Sequence, residues 1–252
     1  MIQTNDLFKR SVQILNDNNI NYWICHGTLL GIIRNKSLLE WDNDIDFAVW
    51  EDEYSKEDIL KIFSPNKGFK QELSLEEMNS LHFETMGKRV DINFYTRDKD
   101  KAFIKWAVLP GDYYSKFYHL KILYQFIISF LVNNVTIKKA VKSENGKIFT
   151  TIKLLIILPL VILRKMLSIT IKKELLEKSY KNYEIIGYSY PLHLLKFKEI
   201  EFMGISISIP KKPEEVLKFT YGEDWKIPKK NYVWIKEGKN LYRQKKNIKD
   251  IR

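Results

Sequence analysis

Short blocks of alternating or helically spaced hydrophobic residues fill the first 110 positions, which predicts strands interleaved with short helices. Residues 4–18 carry an approximate apolar stripe at helical spacing, and Thr4 or Asn5 could cap the helix that they predict. In residues 44–50 the acids fall on one face and the apolar residues mostly on the other, as a strand requires. Similar patterns predict strands at 22–25, 90–95 and 102–108, helices at 29–34 and 55–63, and a hairpin at 83–89.

The C-terminal part of the chain returns to a mixed pattern after an apolar middle. Residues 202–210 alternate like a strand, and 213–221 open with Pro and two acids, which is a signal for the start of a helix. The tail from Lys236 is basic and is expected to be loose. The pattern predicts an α+β fold with a core at 1–110, a helical basic and apolar insertion at 111–190, a C-terminal part of the core at 191–235 and a basic tail at 236–252.

The middle of the chain is both apolar and basic. Residues 122–132 and 154–163 are dense apolar runs, too short to cross a bilayer, which predict buried or interfacial helices. Twelve Lys or Arg and three acids lie between His119 and Lys181, so most of the net charge of +11 falls there. One interpretation is a helical subdomain with a solvated basic surface. The other is docking on an anionic membrane, where each Lys or Arg contributes about 1 kcal/mol.

Two classes of partner and site are disfavoured by composition. A nucleic-acid partner is not expected, because the lysines of the middle interleave with aliphatic residues rather than with aromatics and arginines. Cys25 is the single cysteine, which excludes an internal disulfide and a Cys-rich zinc site and fits a reducing compartment. The first residues lack the basic and apolar regions of a signal peptide. We therefore expect a cytoplasmic protein, with the inner face of the cell membrane as its alternative location.

Three acids on two predicted strands form the main candidate site. Asp44 and Asp46 are two positions apart, so a strand projects both carboxylates to one side. Such a pair repels itself unless a cation lies between, and hard oxygen ligands favour Mg²⁺ or Mn²⁺. Asp91 on another strand would complete a site for two metals, which can clamp the attacking and leaving oxygens of a phosphoryl displacement.

A Gly-Thr turn precedes these acids and suits a phosphate. Gly27 allows the backbone to approach a phosphate closely, and the amides of the following helical turn would face the anion. Thr28 supplies a hydroxyl at the same turn. Arg34 offers a planar fork for phosphate oxygens. These residues predict a nucleotide-phosphate site next to the metal site.

These motifs resemble those of a known family. The order hydrophobic-Gly-Thr, Asp-hydrophobic-Asp-hydrophobic and hydrophobic-Asp-hydrophobic resembles the nucleotidyltransferase superfamily signature. The stretch GTLLGIIRNKSLLEWDNDIDFAV is similar to the LicD family, which includes bacterial phosphocholine transferases and animal fukutin-related proteins. The closing piece EFMGISISIPKKPEEVLKFTYGEDWKIP also resembles that family, so the likeness covers residues 4–95 and 200–228.

The resemblance implies a fold, a reaction and roles for single residues. It implies a mixed sheet with flanking helices, and transfer of phosphocholine, phosphoribitol or a related group from a CDP-linked donor to a glycan hydroxyl, releasing CMP. The acceptor would be a cell-surface glycan such as lipopolysaccharide, teichoic acid or capsule, and a lipid-linked acceptor would make membrane docking useful. By the same resemblance, Asp44, Asp46 and Asp91 would be metal ligands, and Gly27 and Thr28 would line the nucleotide phosphates.

Other functions stay open on the sequence alone. The chain could transfer a nucleoside monophosphate to a small molecule, which would release pyrophosphate instead of CMP. It could also be a non-catalytic adaptor on a membrane surface, although the full set of acids argues against this. A calcium loop at Asp42, Asp44, Asp46 and Glu53 is disfavoured, because Phe47 stands where the sharp turn needs Gly.

Neighbouring residues have two interpretations each. Asp42 supports the ligands from outside or only caps the strand entrance, and His26 is a catalyst or a hydrogen-bonded structural residue. Trp41 stacks on a base or covers the core. Lys36 and the Lys88-Arg89 pair bind phosphate or are ordinary surface cations, and packing is the default role for Tyr221 and Trp225.

Overall fold

The structure is a computed structural model of the 252-residue chain. It describes residues 2–72, 79–85, 87–108, 184–229 and 232–245, together with positions 124, 127–128, 130–131, 159–168, 171 and 175 between them.

One mixed sheet organises the fold. Its strands run in the order β1-β2-β5-β6-β7-β10, and β4 pairs with β5 as well as with β3. The strands are β1 Tyr22–Ile24, β2 Asp44–Trp50, β3 Lys70–Glu72, β4 Ser80–Thr85, β5 Lys88–Asp98, β6 Lys101–Val108, β7 Glu184–Pro191 and β10 Leu241–Lys245. Strands β2 and β5 are parallel, whereas β1 and β4 run antiparallel to their neighbours. The predicted α+β class is confirmed.

Helices flank this sheet. They are α1 Ile2–Asp17, α2 His26–Leu30, α3 Lys56–Ile62, α4 Pro213–Tyr221 and α5 Trp234–Glu237, and α2 continues as a π-helical turn Gly31–Asn35. Ser55 caps α3 in a capping box with Asp58, and each side chain accepts from the other's backbone amide. Leu7, Phe8 and Leu15 of α1 are fully buried, so the predicted apolar stripe faces the core.

The predicted strand at 202–210 is instead part of a hairpin. Strand β8 spans Phe197–Phe202 and pairs antiparallel with β9, Ile205–Pro210. Met203 and Gly204 between them both have positive φ, at 54° and 76°, as a two-residue hairpin turn requires. Apolar residues alternate from Met203 in the turn through Ile205, Ile207 and Ile209 of β9, so the sequence pattern did not show where the turn ends and the strand begins.

The tail also differs from its prediction. Residues 241–245, expected to be loose, form β10 at the edge of the sheet, and Trp234–Glu237 form α5 before it. The remainder of the tail, 246–252, lies outside the described residues.

The chain divides into two compact units. The first comprises Met1–Trp106 and Ile186–Gln244, and the second Ala107–Ile185 and Lys245–Arg252. The predicted apolar runs at 122–132 and 154–163 lie mostly outside the described residues, although 159–166 are helical. Within the part of the chain that the structure describes, no helix combines the length and apolar character needed to cross a membrane.

Candidate active site

The parallel pairing of β2 and β5 brings the predicted acids together. In this register Asp44 lies opposite Arg89 and Asp46 lies opposite Asp91. Residues two apart on a strand share a face, so all four side chains project from the same side of the sheet. They open into a cavity of about 530 Å³ within the first compact unit.

Asp46 is the most enclosed acid of the group. Asp46 is only 8% exposed, and its backbone amide donates to the Thr28 hydroxyl at 2.8 Å. Burial raises the pKa of Asp46 well above its usual value, and the charges of Asp44, Asp91 and Asp42 raise it further. This carboxyl therefore favours a proton unless a cation is close.

Asp42 and Asp44 form a second coupled pair. Burial, followed by a hydrogen bond with Asp44, raises the pKa of Asp42 to about 8. Burial also opposes ionisation of Asp44, but the hydrogen bond from Asp42 and the charge of Arg89 outweigh it and lower the pKa of Asp44. A proton thus lies on the Asp42 side of the pair near neutral pH. Asp42, given two roles on the sequence, lines the same cavity as the three predicted ligands.

Arg89 bridges two of the predicted metal ligands. Its Nη2 donates to Asp44 Oδ2 at 2.6 Å, and its Nε lies 2.8 Å from Asp91 Oδ1. Burial would lower the pKa of this guanidinium, but the charges of Asp91 and Asp44 raise it overall. On the far side of Asp91, His82 Nδ1 lies 2.8 Å from the same carboxylate oxygen. The acids are therefore balanced by one permanent cation and by protons.

The carboxylates of the cavity are suitable ligands for a hard divalent cation, but in this conformation they are not arranged around one metal position. Four carboxylates face one space, and Asp46 favours a proton there. Carboxylate oxygens are the ligands that Mg²⁺ and Mn²⁺ prefer. As they stand, however, the described residues contain no group of three or more His, Cys, Asp or Glu side chains placed to hold a metal ion. Arg89 lies between Asp44 and Asp91, where it keeps these two carboxylates engaged.

Gly27 makes the closest backbone approach to the acids. A Cβ added at this position would lie 2.3 Å from Asp42 Oδ2 and 3.7 Å from Asp46 Oδ2. A side chain at this position would therefore displace the Asp42 carboxylate. The predicted turn is the first turn of α2, and Gly27 lines the cavity. Thr28 is buried, and its hydroxyl accepts from Asp46, so it positions β2; its contact with a phosphate stays a prediction.

His26 is the first residue of α2 and has an unusual backbone conformation. Its φ is +45°, a region that His tolerates better than most residues. Burial lowers the pKa of His26 to about 4, although the charge of Asp44 opposes the shift. Its Nε2 lies 3.3 Å from the Tyr95 hydroxyl, and its ring packs edge-on against Trp106. His26 is thus a neutral ring at the wall of the cavity.

Arg34 reaches the same cavity from the π-helical turn. Its Nε donates to Asn35 Oδ1 at 2.7 Å, and its Nη1 lies 3.5 Å from the Trp225 carbonyl oxygen. Partial burial lowers its pKa, although it remains charged at neutral pH. The two arginines of the cavity differ, because Arg89 is held by carboxylates and Arg34 contacts neutral oxygens.

Aromatic side chains from distant segments form an aromatic wall of the same cavity. The rings of Trp106 and Trp234 have centroids 5.0 Å apart, and Trp106 and Tyr188 lie 6.2 Å apart. Tyr221 and Tyr232, 5.7 Å apart, line the cavity as well. Trp41, also part of the lining, is 65% exposed, so it does not cover the core. The sequence offered no local signal for this wall, because its members are spread over 130 residues.

Comparison with known proteins places a family domain over this site. Residues 19–127 match the family model described as "LicD/FKTN/FKRP, nucleotidyltransferase domain". An uncharacterized protein of Rickettsia typhi is 32% identical over 120 residues, which cover 46% of this chain and 37% of the relative. An uncharacterized protein of Rickettsia prowazekii is 31% identical over 119 residues, covering 47% and 42%. The matches therefore span about two fifths of the length of these curated relatives.

Proposed function

We propose that the chain is a metal-dependent transferase, on the basis of the match between residues 19–127 and the LicD family model, a resemblance that the sequence motifs predicted. It moves a phosphorylated small alcohol, such as phosphocholine or phosphoribitol, from a CDP-linked donor to a hydroxyl of a cell-surface glycan. CMP is the second product. The nucleotidyltransferase-like character of the core is part of the same proposal.

The observation that carries this proposal is the cluster of four carboxylates in one cavity. Asp42, Asp44, Asp46 and Asp91 face each other across β2 and β5, where burial and mutual repulsion favour a proton on Asp46. Such repulsion is relieved by a divalent cation as well as by protons. A structural role alone gains nothing from four acids around one buried space.

Asp44, Asp46 and Asp91 would hold Mg²⁺ or Mn²⁺. When bound, the metal would lower the pKa of the acceptor hydroxyl and balance charge on the donor diphosphate. In the transfer itself, the acceptor oxygen attacks the phosphorus that carries the small alcohol. The bond from that phosphorus to the bridging oxygen breaks, and CMP leaves with its electron pair.

The chain's own residues orient the reactants and receive the proton. Asp91 is placed to accept the proton of the acceptor hydroxyl, because His82 lies against one of its oxygens and fixes its orientation. The Gly27 backbone allows a donor phosphate close to the acids. Arg34, whose hydrogen bonds go to Asn35 Oδ1 and the Trp225 carbonyl oxygen, supplies positive charge for the nucleotide part of the donor.

The aromatic wall supports recognition of a flat or cationic group. Indole and phenol faces stack on a nucleotide base, and they also attract a quaternary ammonium such as that of choline. Trp106, Tyr188 and Trp234 line the same cavity as the acids, which suits either end of a CDP-linked donor.

The proposed acceptor and location rest on the positive charge in the middle of the chain. The basic, apolar middle between His119 and Lys181 favours an anionic membrane surface, where a lipid-linked glycan would be presented. We propose the cytoplasmic side of the membrane as the place of the reaction.

A donor panel tests the proposal. Purified protein is incubated with Mg²⁺ and CDP-linked choline, ribitol, glycerol or ethanolamine, with and without extracted surface glycan. We expect one donor to give CMP that depends on both metal and acceptor. Asp46→Asn is the inactive comparison, and Asp98→Asn, at an exposed position on the same β5 that carries Asp91, is the matched control with full activity.

The description of the family model favours one second candidate. It names a nucleotidyltransferase domain, which is consistent with transfer of a nucleoside monophosphate to a small molecule. Pyrophosphate from a nucleoside triphosphate, with no CMP from any CDP-linked donor, would select this reaction. No product in either assay, with no binding of nucleotide or Mg²⁺, would leave the membrane-surface adaptor.

A further inference from the structure

Arg89 occupies the space that a cation shared by Asp44 and Asp91 would need. Its two contacts, at 2.6 Å to Asp44 and 2.8 Å to Asp91, use one oxygen of each carboxylate. The side chain of Arg89 is 41% exposed, whereas that of Asp91 is 6% exposed. The Arg89 side chain is therefore the more exposed member of each pair, although its Nε is enclosed beside Asp91.

The sheet builds this arrangement through its register. Arg89 lies opposite Asp44 on the parallel strand, and it precedes Asp91 by two residues on its own strand. Both relations place Arg89 on the face of the acids. Its neighbour Lys88 makes different contacts, because its Nζ donates to the Asp42 backbone carbonyl at 2.7 Å. One of two adjacent cations is therefore dedicated to the carboxylates.

A guanidinium and a divalent metal compete for these two carboxylates. Arg89 contacts one oxygen of each, and a metal held by the same two side chains would lie close to the guanidinium, where like charges repel strongly. A guanidinium also forms paired hydrogen bonds with phosphate oxygens as readily as with carboxylates. A donor diphosphate in the cavity gives Arg89 a second anionic partner.

We propose that Arg89 is a built-in substitute for the metal, which holds Asp44 and Asp91 until a diphosphate draws the guanidinium away. Metal and donor then bind together: each is weak alone, and each raises the affinity for the other by the same factor. This inference rests on the proposed function, since it assigns an order of binding to the same site. It makes Arg89 a positioning residue that moves from the carboxylates to the donor.

Metal binding measured without turnover tests the inference. Mn²⁺ is titrated into the full chain by calorimetry, first alone and then with saturating CDP as the diphosphate probe. We expect Arg89→Gln to bind Mn²⁺ alone at least about tenfold more tightly than the wild type, a typical size for coupling between two sites. CDP should raise the Mn²⁺ affinity of the wild type by about tenfold or more and that of Arg89→Gln by clearly less.

Two further variants keep the test decisive. Lys88→Gln removes the adjacent cation, whose charge acts on Asp42, but leaves the contacts of Arg89 in place, so its Mn²⁺ affinity should rise far less than that of Arg89→Gln. Arg89→Lys keeps the charge but loses the fork that spans two carboxylates, so it should bind Mn²⁺ alone more tightly than the wild type. This second substitution serves if Arg89→Gln does not fold.

Several outcomes would overturn the inference. Equal Mn²⁺ affinity in the wild type and in both Arg89 variants would show that Arg89 does not compete with the metal. Weaker binding in the variants would show that it supports the metal instead. A failure of the proposed function is a separate result: tighter Mn²⁺ binding by Arg89→Gln, with no CMP released by the wild type from any donor, would uphold Arg89's position and reject the transfer reaction.

Discussion

Gly27 and Gly31 lie four residues apart, yet adding a methyl group at each should damage different properties. At Gly27 the new Cβ would meet Asp42 Oδ2 at 2.3 Å, whereas ordinary contact begins at 3.4 Å. The obstacle is the end of a side chain, so the Asp42 carboxylate yields by about 1 Å; a shift of this size in a catalytic site costs on the order of 100-fold in rate. Gly27 does not have a positive φ, so alanine suits the helix and the fold is retained.

At Gly31 the obstacle is the backbone. The new Cβ would lie 2.7 Å from the Ser37 carbonyl oxygen and 3.1 Å from the Leu39 backbone nitrogen. Backbone atoms in a packed turn cannot move aside locally, so overpacking should destabilise the protein by about 1–3 kcal/mol. For a domain of this size that corresponds to a fall in Tm of roughly 2–12 °C.

Thermal unfolding and CMP release are measured on both variants. We expect Gly27→Ala to keep the wild-type Tm within about 2 °C and to lose most activity, and Gly31→Ala to melt earlier but retain activity well below its Tm. Full activity in Gly27→Ala would refute the close approach between this turn and the acids. Unfolding of Gly27→Ala would show that the turn serves the fold rather than the site.

Three other predictions concern the same cavity. Asp46→Asn should abolish CMP release without lowering the free energy of unfolding at neutral pH, because asparagine mimics the protonated acid that burial favours; an active variant would remove Asp46 from the site. His26 binds no proton in the folded state until about pH 4, whereas its ordinary pKa is 6.5. Wild-type stability should therefore fall between pH 6.5 and 4, by at most about 1.4 kcal/mol per pH unit from this group, and His26→Asn should show a smaller fall in chemical denaturation. Trp106→Leu should raise the KM for the donor more than it lowers kcat, because a wall residue binds rather than reacts; an unchanged KM would place the donor elsewhere.

The position of the candidate metal ligands could be predicted from local pattern. The strand that carries Asp44 and Asp46 has the bounds 44–50 in both the sequence pattern and the structure. Its period of two is strong because one face is acidic and the other apolar. Asp91 stands in a second strand of the same kind, and the structure places it opposite Asp46.

The partners of these acids depended on pairing that no local pattern encodes. Arg89 and His82 reach Asp91 only because β5 pairs in one register with β2 and in another with β4. The sequence did contain one signal for the contact between Arg89 and Asp91: they are two positions apart on one strand, and such residues share a face. The sequence presents Lys88 and Arg89 as one basic pair, for phosphate or for the surface, although adjacent residues lie on opposite faces of a strand.

The edges of the sheet escaped prediction for a different reason. Strands β7 and β10 come from segments separated from the acids by more than ninety residues, and β10 is a basic stretch without clear alternation. Sheet pairing supplies hydrogen bonds that a polar sequence can use regardless of its pattern. The aromatic wall depends on these strands, because Tyr188 belongs to β7 and Trp234 belongs to the helix before β10.

The fate of the phosphorus next to the small alcohol tests the transfer most directly. A CDP-linked donor, chosen as the one that releases CMP, is labelled with radioactive phosphorus at that position and incubated with Mg²⁺ and extracted surface glycan. We predict that the label enters the glycan with the wild type and with Asp98→Asn, in step with CMP, and stays in the donor with Asp46→Asn. Label that remains in the donor with the wild type, or that is released as free phosphate while the glycan stays unlabelled, would contradict the proposed reaction.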